Sequence, residues 1–441
     1  MFRFLSAAFP ALLLAVPLVS GAEPPGGIVL VISDGTSQEL ITAARIYACG
    51  AEGHLGLESF PQTAIVRTHS LEDVVTDSSA AATALARGIK AENRVVGMAK
   101  INSETSPPSL LDLARKAGWS TGIVTDDSVT GATEAPFLVE HKSRWEEAAI
   151  ASKMVDQFGP RADIVLGGGA KWFADLGDKI VYDPPEQRAI VQETQKKLAR
   201  TKVAKFDAWQ SFVEYMAKGA DGRPVLGTFF PAEFPFYADG ARSPRVADMA
   251  VEAVRFLRAK GKPFFLMVEA ALPDKACHRG NAKRAIFEVL ELDRMIAELR
   301  KNVPPRTLLL VTTDHNNGGL AINGPPVPIS IRGDALLLPN PITRSSILSF
   351  ATGPGFDLAK SNVRERRIVN ADKSVSVERE QKQPTDSDFQ QPAAIDGAAS
   401  LHTGGDVWLL GEGPGSDKVH GYMENTDIFH LMASQIDPSA P

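Results

Sequence analysis

GIVLVISDG, Gly27 to Gly35, is a run of apolar and β-branched residues that stops abruptly at a serine and an aspartate. Four further stretches share its form: STGIVTDD from Ser120, ADIVLGGG from Ala162, PFFLMVEAA from Pro263 and TLLLVTTDH from Thr307. Strands that are apolar almost throughout belong to sheets covered on both faces, and such sheets are mostly parallel. Segments with helical spacing lie among them: SQELITAARIYA, SLLDLARKAG, RVADMAVEAVRFLRAKG and RAIFEVLELDRMIAELRKN. The alternation predicts an α/β fold with a doubly wound, mostly parallel central sheet flanked by helices.

The ends of these strands carry the chemistry. Asp34 closes the first, Asp126 and Asp127 the second, Glu269 the fourth, and Asp314-His315 the fifth. Open α/β sheets bind ligands beyond the carboxyl ends of their strands. Carboxylates crowded on one such edge repel one another unless cations sit between them, so the pattern predicts a metal cluster. Asp34 has a second reading, because the Thr36-x-x-Glu39 that follows it fits a helix capping box. Histidines join the pattern. Asp274 and His278 are four apart in PDKACHRG and face one way on a helical turn. His315 adjoins Asp314, and His402 sits among small residues in SLHTGG. An Asp/His donor set without thiolate suits catalytic zinc. His54, His69, His141, His420 and His430 lack such company and read as structural or exposed.

VVTDSSAAATALARG, Val74 to Gly88, poses a different question. Its alanines and leucine predict a helix beginning near Ser79. Asp77 or Ser78 is then an ordinary N-cap. Alternatively, Ser78 is a nucleophile at the positive end of the helix, where a phosphate or oxyanion is favoured. A serine hydroxyl needs a cation or a base to attack as its alkoxide.

The chain has 441 residues, a net charge of −6 and a hydrophobic share of 44%, enough for a large core. It has no basic stripe and no block of like charge, which argues against a nucleic-acid partner. MFRFLSAAFPALLLAVPLVSGA, residues 1–22, reads as a signal peptide cleaved near Ala22, with export to the periplasm or beyond. It is too short and proline-broken for a membrane span, so no anchor is expected in the mature chain. Cys49 and Cys277 are the only cysteines; they make no disulfide scaffold, and each reads as a small buried residue. Residues 316–400 form a long insertion between ligand-bearing segments, with strand-like VPISIRG and RRIVNA and the polar run VEREQKQPTDSDFQQP. Loops of this length are usually functional or flexible. We read 23–441 as one catalytic domain that includes the insertion.

Val75–Ala84, VTDSSAAATA, resembles the nucleophile motif of alkaline phosphatases. ISDGTS at Ile32, SRW at Ser143, ADIVLGGGAKWF at Ala162, FLMVEAALPDKACH at Phe265, TTDH at Thr312 and LHTGG at Leu401 are similar to family motifs in the same order. The resemblance covers nearly all of the mature chain. It implies a metal-dependent phosphomonoesterase acting on small-molecule phosphate monoesters through a phosphoserine at Ser78. It further implies that Asp274, His278 and His402 hold one Zn²⁺, while Asp34, Asp314 and His315 hold a second with Ser78 as nucleophilic ligand. By the same resemblance, Asp34, Thr133 and Glu269 hold a Mg²⁺. Arg144 corresponds to the phosphate-binding arginine and Asp77 to the carboxylate that orients it. Lys275 resembles a lysine that lies near the phosphate through water in some bacterial members; an exposed lysine is its other reading. A homodimer and a crown-like subdomain within 316–400 are also implied.

The sequence departs from the family at Gly131, where an aspartate or histidine is usual, so the surroundings of the third metal differ. The usual disulfides have no counterpart. Three rival readings have their own signatures. A phosphodiesterase of the same superfamily needs room for a second ester group. A sulfatase needs a modified Cys or Ser in a motif absent around Ser78. A non-catalytic metal- or phosphate-binding protein has no use for Ser78 and Arg144 together.

Overall fold

The computed structural model describes residues 26–437, apart from 175, 178–179, 181, 183, 325–326 and 370–374. The signal peptide expected at 1–22 lies outside the described residues. A ten-stranded sheet forms the centre. Its strands run in the order His420–Glu424, Gln62–Arg67, Val407–Glu412, Thr307–Thr312, Gly27–Ser33, Phe264–Ala270, Ser120–Ser128, Ile164–Gly168, Val225–Thr228, Ala204–Phe206. Only Val407–Glu412 runs antiparallel to its neighbours, so the sheet is mixed and mostly parallel.

The continuous apolar strands follow from this arrangement. Side chains alternate between the two faces of a strand, and here both faces are covered. Val29 and Val31 enter one core with Val268, Val311 and the helices Gln38–Cys49, Val246–Ala259 and Ala282–Asn302. Ile28, Leu30 and Ile32 enter the other with Phe265, Leu308 and the helices Leu110–Lys116, Glu147–Val155 and Asn425–Ile436. Residues 28–32 have no exposed surface, and each such side chain contributes roughly 1.5–3 kcal/mol when buried.

Local details differ from the sequence expectations in two places. Ser37, not Thr36, caps the Gln38–Cys49 helix, accepting from the Leu40 amide at 3.2 Å. Thr36 instead bonds the Ser33 hydroxyl at 2.7 Å, which closes the turn after the strand. Within 316–400, VPISIRG forms turns instead of a strand. RRIV does lie in a strand, Val363–Val369, paired antiparallel with Val375–Gln381 at the start of the polar run. Cys49 and Cys277 are both free. No helix among the described residues is long and apolar enough to cross a membrane.

Candidate active site

Four adjacent parallel strands, Thr307–Thr312, Gly27–Ser33, Phe264–Ala270 and Ser120–Ser128, deliver the acidic residues to one edge. Ile32 is level with both Thr312 and Glu269, and Thr125 is level with Glu269. Asp34 and Asp314 therefore emerge side by side, with His315 between them. His315 Nε2 lies 3.2 Å from Asp314 Oδ2 and 3.5 Å from Asp34 Oδ1. Asp314 Oδ1 is held by the amides of Gly35 (3.2 Å) and His315 (2.9 Å), which aims Oδ2 inward. Gly35 is required here: its φ is +65°, and a Cβ would stand 2.5 Å from Asp274 Oδ1.

Ser78 joins this group from a different element. Asp77 is the N-cap of the Ser78–Arg87 helix, accepting from the Ala80 amide at 3.0 Å, so Ser78 is free of capping duty. Its Oγ lies 3.1 Å from His315 Nε2.

The second group is built on the Leu272–His278 helix. His278 Nε2 lies 3.2 Å from Asp274 Oδ2, and His402 Nε2 lies 3.6 Å from Asp274 Oδ1. His278 Nδ1 donates to the Ser400 carbonyl at 2.6 Å, and His402 Nδ1 to the Thr76 carbonyl at 3.2 Å. A carbonyl only accepts, so both rings carry a proton on Nδ1 and direct Nε2 at the site, the usual preparation of a metal-binding histidine. The two Nε2 atoms are 3.1 Å apart. The His402 ring also stacks on His315 at 3.7 Å. His315 belongs geometrically to both groups, since its donor atom clusters with Asp274 and His402 as well as with Asp34 and Asp314.

The electrostatics of this edge call for cations. Burial, then Asp314 and Asp274, push Asp34 well above the ordinary carboxylate range. Burial, then Asp274, push Asp314 up to about 7. Burial holds His315 well down and His402 down, with neighbouring imidazoles adding to the effect. Burial opposes the charge of Asp274, yet His278 and His402 hold its carboxyl below the usual range. Asp34 Oδ1, Asp314 Oδ2 and His315 Nδ1 are buried without a hydrogen-bond partner. Oxygen and imidazole donors in this state fit divalent ions of the zinc type.

Glu269 and Thr133 are both buried. Thr125 Oγ1 makes a short hydrogen bond to Glu269 Oε2. Burial, then Glu134, drive Glu269 well above its ordinary value. Glu134 escaped the sequence reading, although an acid at the start of apolar APFLV was its visible signal.

Arg144 lines the same cavity as Ser78 and is bound at Nη1 by Asp77 Oδ2, 2.9 Å away. Burial opposes its charge, and Asp77 more than offsets that, holding it above its ordinary value. Ser78, Arg144, Asp274, His278 and His402 line one cavity of about 790 Å³ with Asn93 and Trp145. Lys275 is not an isolated surface lysine, for its Nζ pairs with Asp127 Oδ2 at 2.8 Å.

Asp126 and Asp127 do not enter the cluster that the strand ends suggested. Asp127 is neutralised by Lys275, and Asp126 by buried Arg242 at 3.2 Å, which also holds Glu288 at 2.9 Å. Asp126 serves the site indirectly, accepting from the Ala271 amide at 2.7 Å and so fixing the turn between Glu269 and Asp274. Asn317, also missed, donates to Asp274 Oδ1 at 2.7 Å and to its carbonyl at 3.1 Å. His69 and His141 stand apart, beside Glu424 and Glu146.

A family model described as Alkaline phosphatase matches residues 27–437. The tissue-nonspecific alkaline phosphatase of Gallus gallus is 29% identical over 457 residues, covering 92% of this chain and 83% of that protein. Streptomycin-6-phosphate phosphatase of Streptomyces griseus is 27% identical over 470 residues, covering 95% of this chain and 92% of that protein. Among solved structures, a cold-active alkaline phosphatase from Shewanella sp. matches with a TM-score of 0.68 at 23% identity, covering 93% of this chain and 99% of the other. The enzyme of the Antarctic bacterium TAB5 matches at 0.64 and 22%, covering 94% and 98%. The chain whose strand ends converge on Ser78 belongs to the alkaline phosphatase family and is a hydrolase of phosphate monoesters.

Proposed function

We propose that the chain hydrolyses phosphate monoesters in two displacements through a phosphoserine at Ser78. Ser78 Oγ forms a bond to phosphorus as the ester P–O bond breaks and the alcohol departs. Water then attacks the phosphoserine from the vacated side, the Oγ–P bond breaks, and inorganic phosphate leaves. Arg144 offers two parallel N–H donors to the phosphate oxygens, a geometry lysine lacks. Asp77 keeps that fork turned toward Ser78. His278 and His402, their Nδ1 protons anchored on backbone carbonyls, would present Nε2 with Asp274 to one Zn²⁺. Asp34, Asp314 and His315 would hold the second, and Asp34, Thr133 and Glu269 would hold Mg²⁺. When bound, these ions supply the positive charge that favours the serine alkoxide and offsets charge on the entering and leaving oxygens.

The observation that carries this reading is Ser78 Oγ standing 3.1 Å from His315 Nε2. The test is hydrolysis of p-nitrophenyl phosphate across pH, before and after chelation, with zinc and magnesium added back singly. Turnover should vanish on chelation and return with zinc, and bis-p-nitrophenyl phosphate should be a poor substrate. Equal or faster cleavage of the diester would make the protein a phosphodiesterase. We also propose export with cleavage near Ala22 and a homodimer in solution. N-terminal sequencing of the mature protein and its sedimentation mass test these two points.

A further inference from the structure

Glu134 is fully buried, and no hydrogen bond of good geometry reaches either of its carboxylate oxygens, although Glu269 and Thr125 stand close by. It lies against Glu269, which is also buried. Among the described residues no lysine or arginine pairs with either acid, whereas the nearby Asp127 is matched by Lys275. Two carboxylates in contact inside a protein are costly unless a proton or a cation stands between them.

The backbone at Gly131 shows why Glu134 turns this way. A Cβ built on Gly131 would stand 2.6 Å from Glu134 Oε2, 2.9 Å from the Ser128 carbonyl and 3.4 Å from Asp127 Oδ2. Glu134 thus fills the space that a side chain at 131 would need. A small cavity of about 120 Å³, lined by Gly131, Asp127, Arg144 and Lys275, opens beside this point.

We propose that Glu134 is a direct ligand of a divalent cation held between its carboxylate and that of Glu269, replacing from position 134 what Gly131 cannot supply. All donors at this point are oxygens, which favours a hard ion such as Mg²⁺ or Mn²⁺ over zinc. The inference rests on the three-ion reading given above and assigns to that third ion a ligand peculiar to this chain.

The test is binding, not turnover. Metal-stripped protein is reloaded with zinc and titrated with Mg²⁺ by calorimetry and with Mn²⁺ by electron paramagnetic resonance; a parallel series omits zinc. Wild-type protein should take up one further ion. Glu134→Gln should weaken that step by more than the roughly 10–100-fold typical of losing a supporting residue. Its zinc content should be unchanged, and its metal-free melting temperature should equal or exceed that of wild type, because a like-charge contact is gone. Glu134→Asp, which keeps the charge, should retain intermediate affinity. Equal Mg²⁺ affinity in wild type and Glu134→Gln overturns the assignment. So does a fall in the metal-free melting temperature of Glu134→Gln, which makes Glu134 a structural hydrogen-bonded acid. Failure to bind zinc in the first series would instead remove the phosphatase reading, while the zinc-free series still decides whether Glu134 binds an ion.

Discussion

Asp77 ties the start of the Ser78–Arg87 helix to Arg144: Oδ1 accepts from the Ala80 amide at 3.0 Å while Oδ2 binds Arg144 Nη1 at 2.9 Å. Oδ2 also accepts from the Arg94 amide at 3.1 Å. One side chain therefore sets both the first turn of the helix bearing Ser78 and the direction of the Arg144 guanidinium.

The two tasks separate by substitution. Asp77→Ser keeps an N-capping oxygen but cannot reach Arg144. Its melting temperature should stay near wild type, while kcat/KM for p-nitrophenyl phosphate falls about 10–100-fold, the loss of one charged hydrogen bond. Asp77→Ala loses the cap as well and should be less stable by about 1 kcal/mol. Wild-type kcat/KM in Asp77→Ser would show that Arg144 needs no orientation from Asp77.

Ser78 occupies the first helical position without capping the helix, so removing its hydroxyl leaves the helix intact. Ser78→Ala should change stability by no more than about 0.5 kcal/mol. Turnover should fall by a factor on the order of 10³ or more, as for removal of other nucleophiles. Wild-type protein quenched during hydrolysis of a radiolabelled monoester should give a labelled peptide containing Ser78, and the variant none. A labelled peptide from the variant would move the nucleophile elsewhere.

The convergence of Asp34, Asp274, His278, Asp314 and His315 was legible because the rules that bring them together are local. Acids that follow parallel strands gather at one sheet edge, and residues four apart share a helix face. Ser78 became distinct from its cap only once Asp77 was seen to hold the Ala80 amide. Asp126 looked like a ligand in sequence, but its partner Arg242 lies 116 residues away and no local pattern announces it. Glu134 and Asn317 likewise depend on contacts outside any local pattern, with Glu269 and Asp274. VPISIRG shows the converse failure: its alternation suits a strand, but a strand exists only where a partner backbone accepts its hydrogen bonds.

Asn317 holds Asp274 in place through Oδ1, the oxygen that also faces His402. Asn317→Leu removes both donated hydrogen bonds and leaves Asp274 less fixed. Zinc affinity at the Asp274–His278–His402 group should drop about 10–100-fold. Competition with a chromogenic chelator measures this directly, and turnover at saturating zinc should recover most of its wild-type value. Unchanged zinc affinity would reduce Asn317 to a packing residue.

Removing the metals should make stability fall with pH where the metal-replete protein's does not. In the bare protein, burial and neighbouring acids raise Asp34 well above the usual range and Asp314 to about 7. Burial raises Glu134 to about 7 and Glu269 well above its ordinary value. A group raised in the folded state favours folding fully below its unfolded value, about 4 for a carboxyl, and loses that contribution as pH climbs through the folded value. His315 and His402, held down by burial, act in the opposite sense, but their effect is complete by about pH 6.5, the unfolded histidine value. His278 joins the carboxyls, for burial opposes its charge yet Asp274 holds it above its ordinary value. Between about pH 6.5 and 8 these raised groups therefore dominate, and chelated protein should lose stability by up to about 1.4 kcal/mol per pH unit for each titrating group. Bound cations keep the same carboxylates ionised in the folded state, so metal-replete protein should show a flat profile over this interval. Parallel melting curves, with and without chelator, measure the difference. Equal slopes in the two series would mean that the carboxylates at this edge do not owe their ionisation to bound metal.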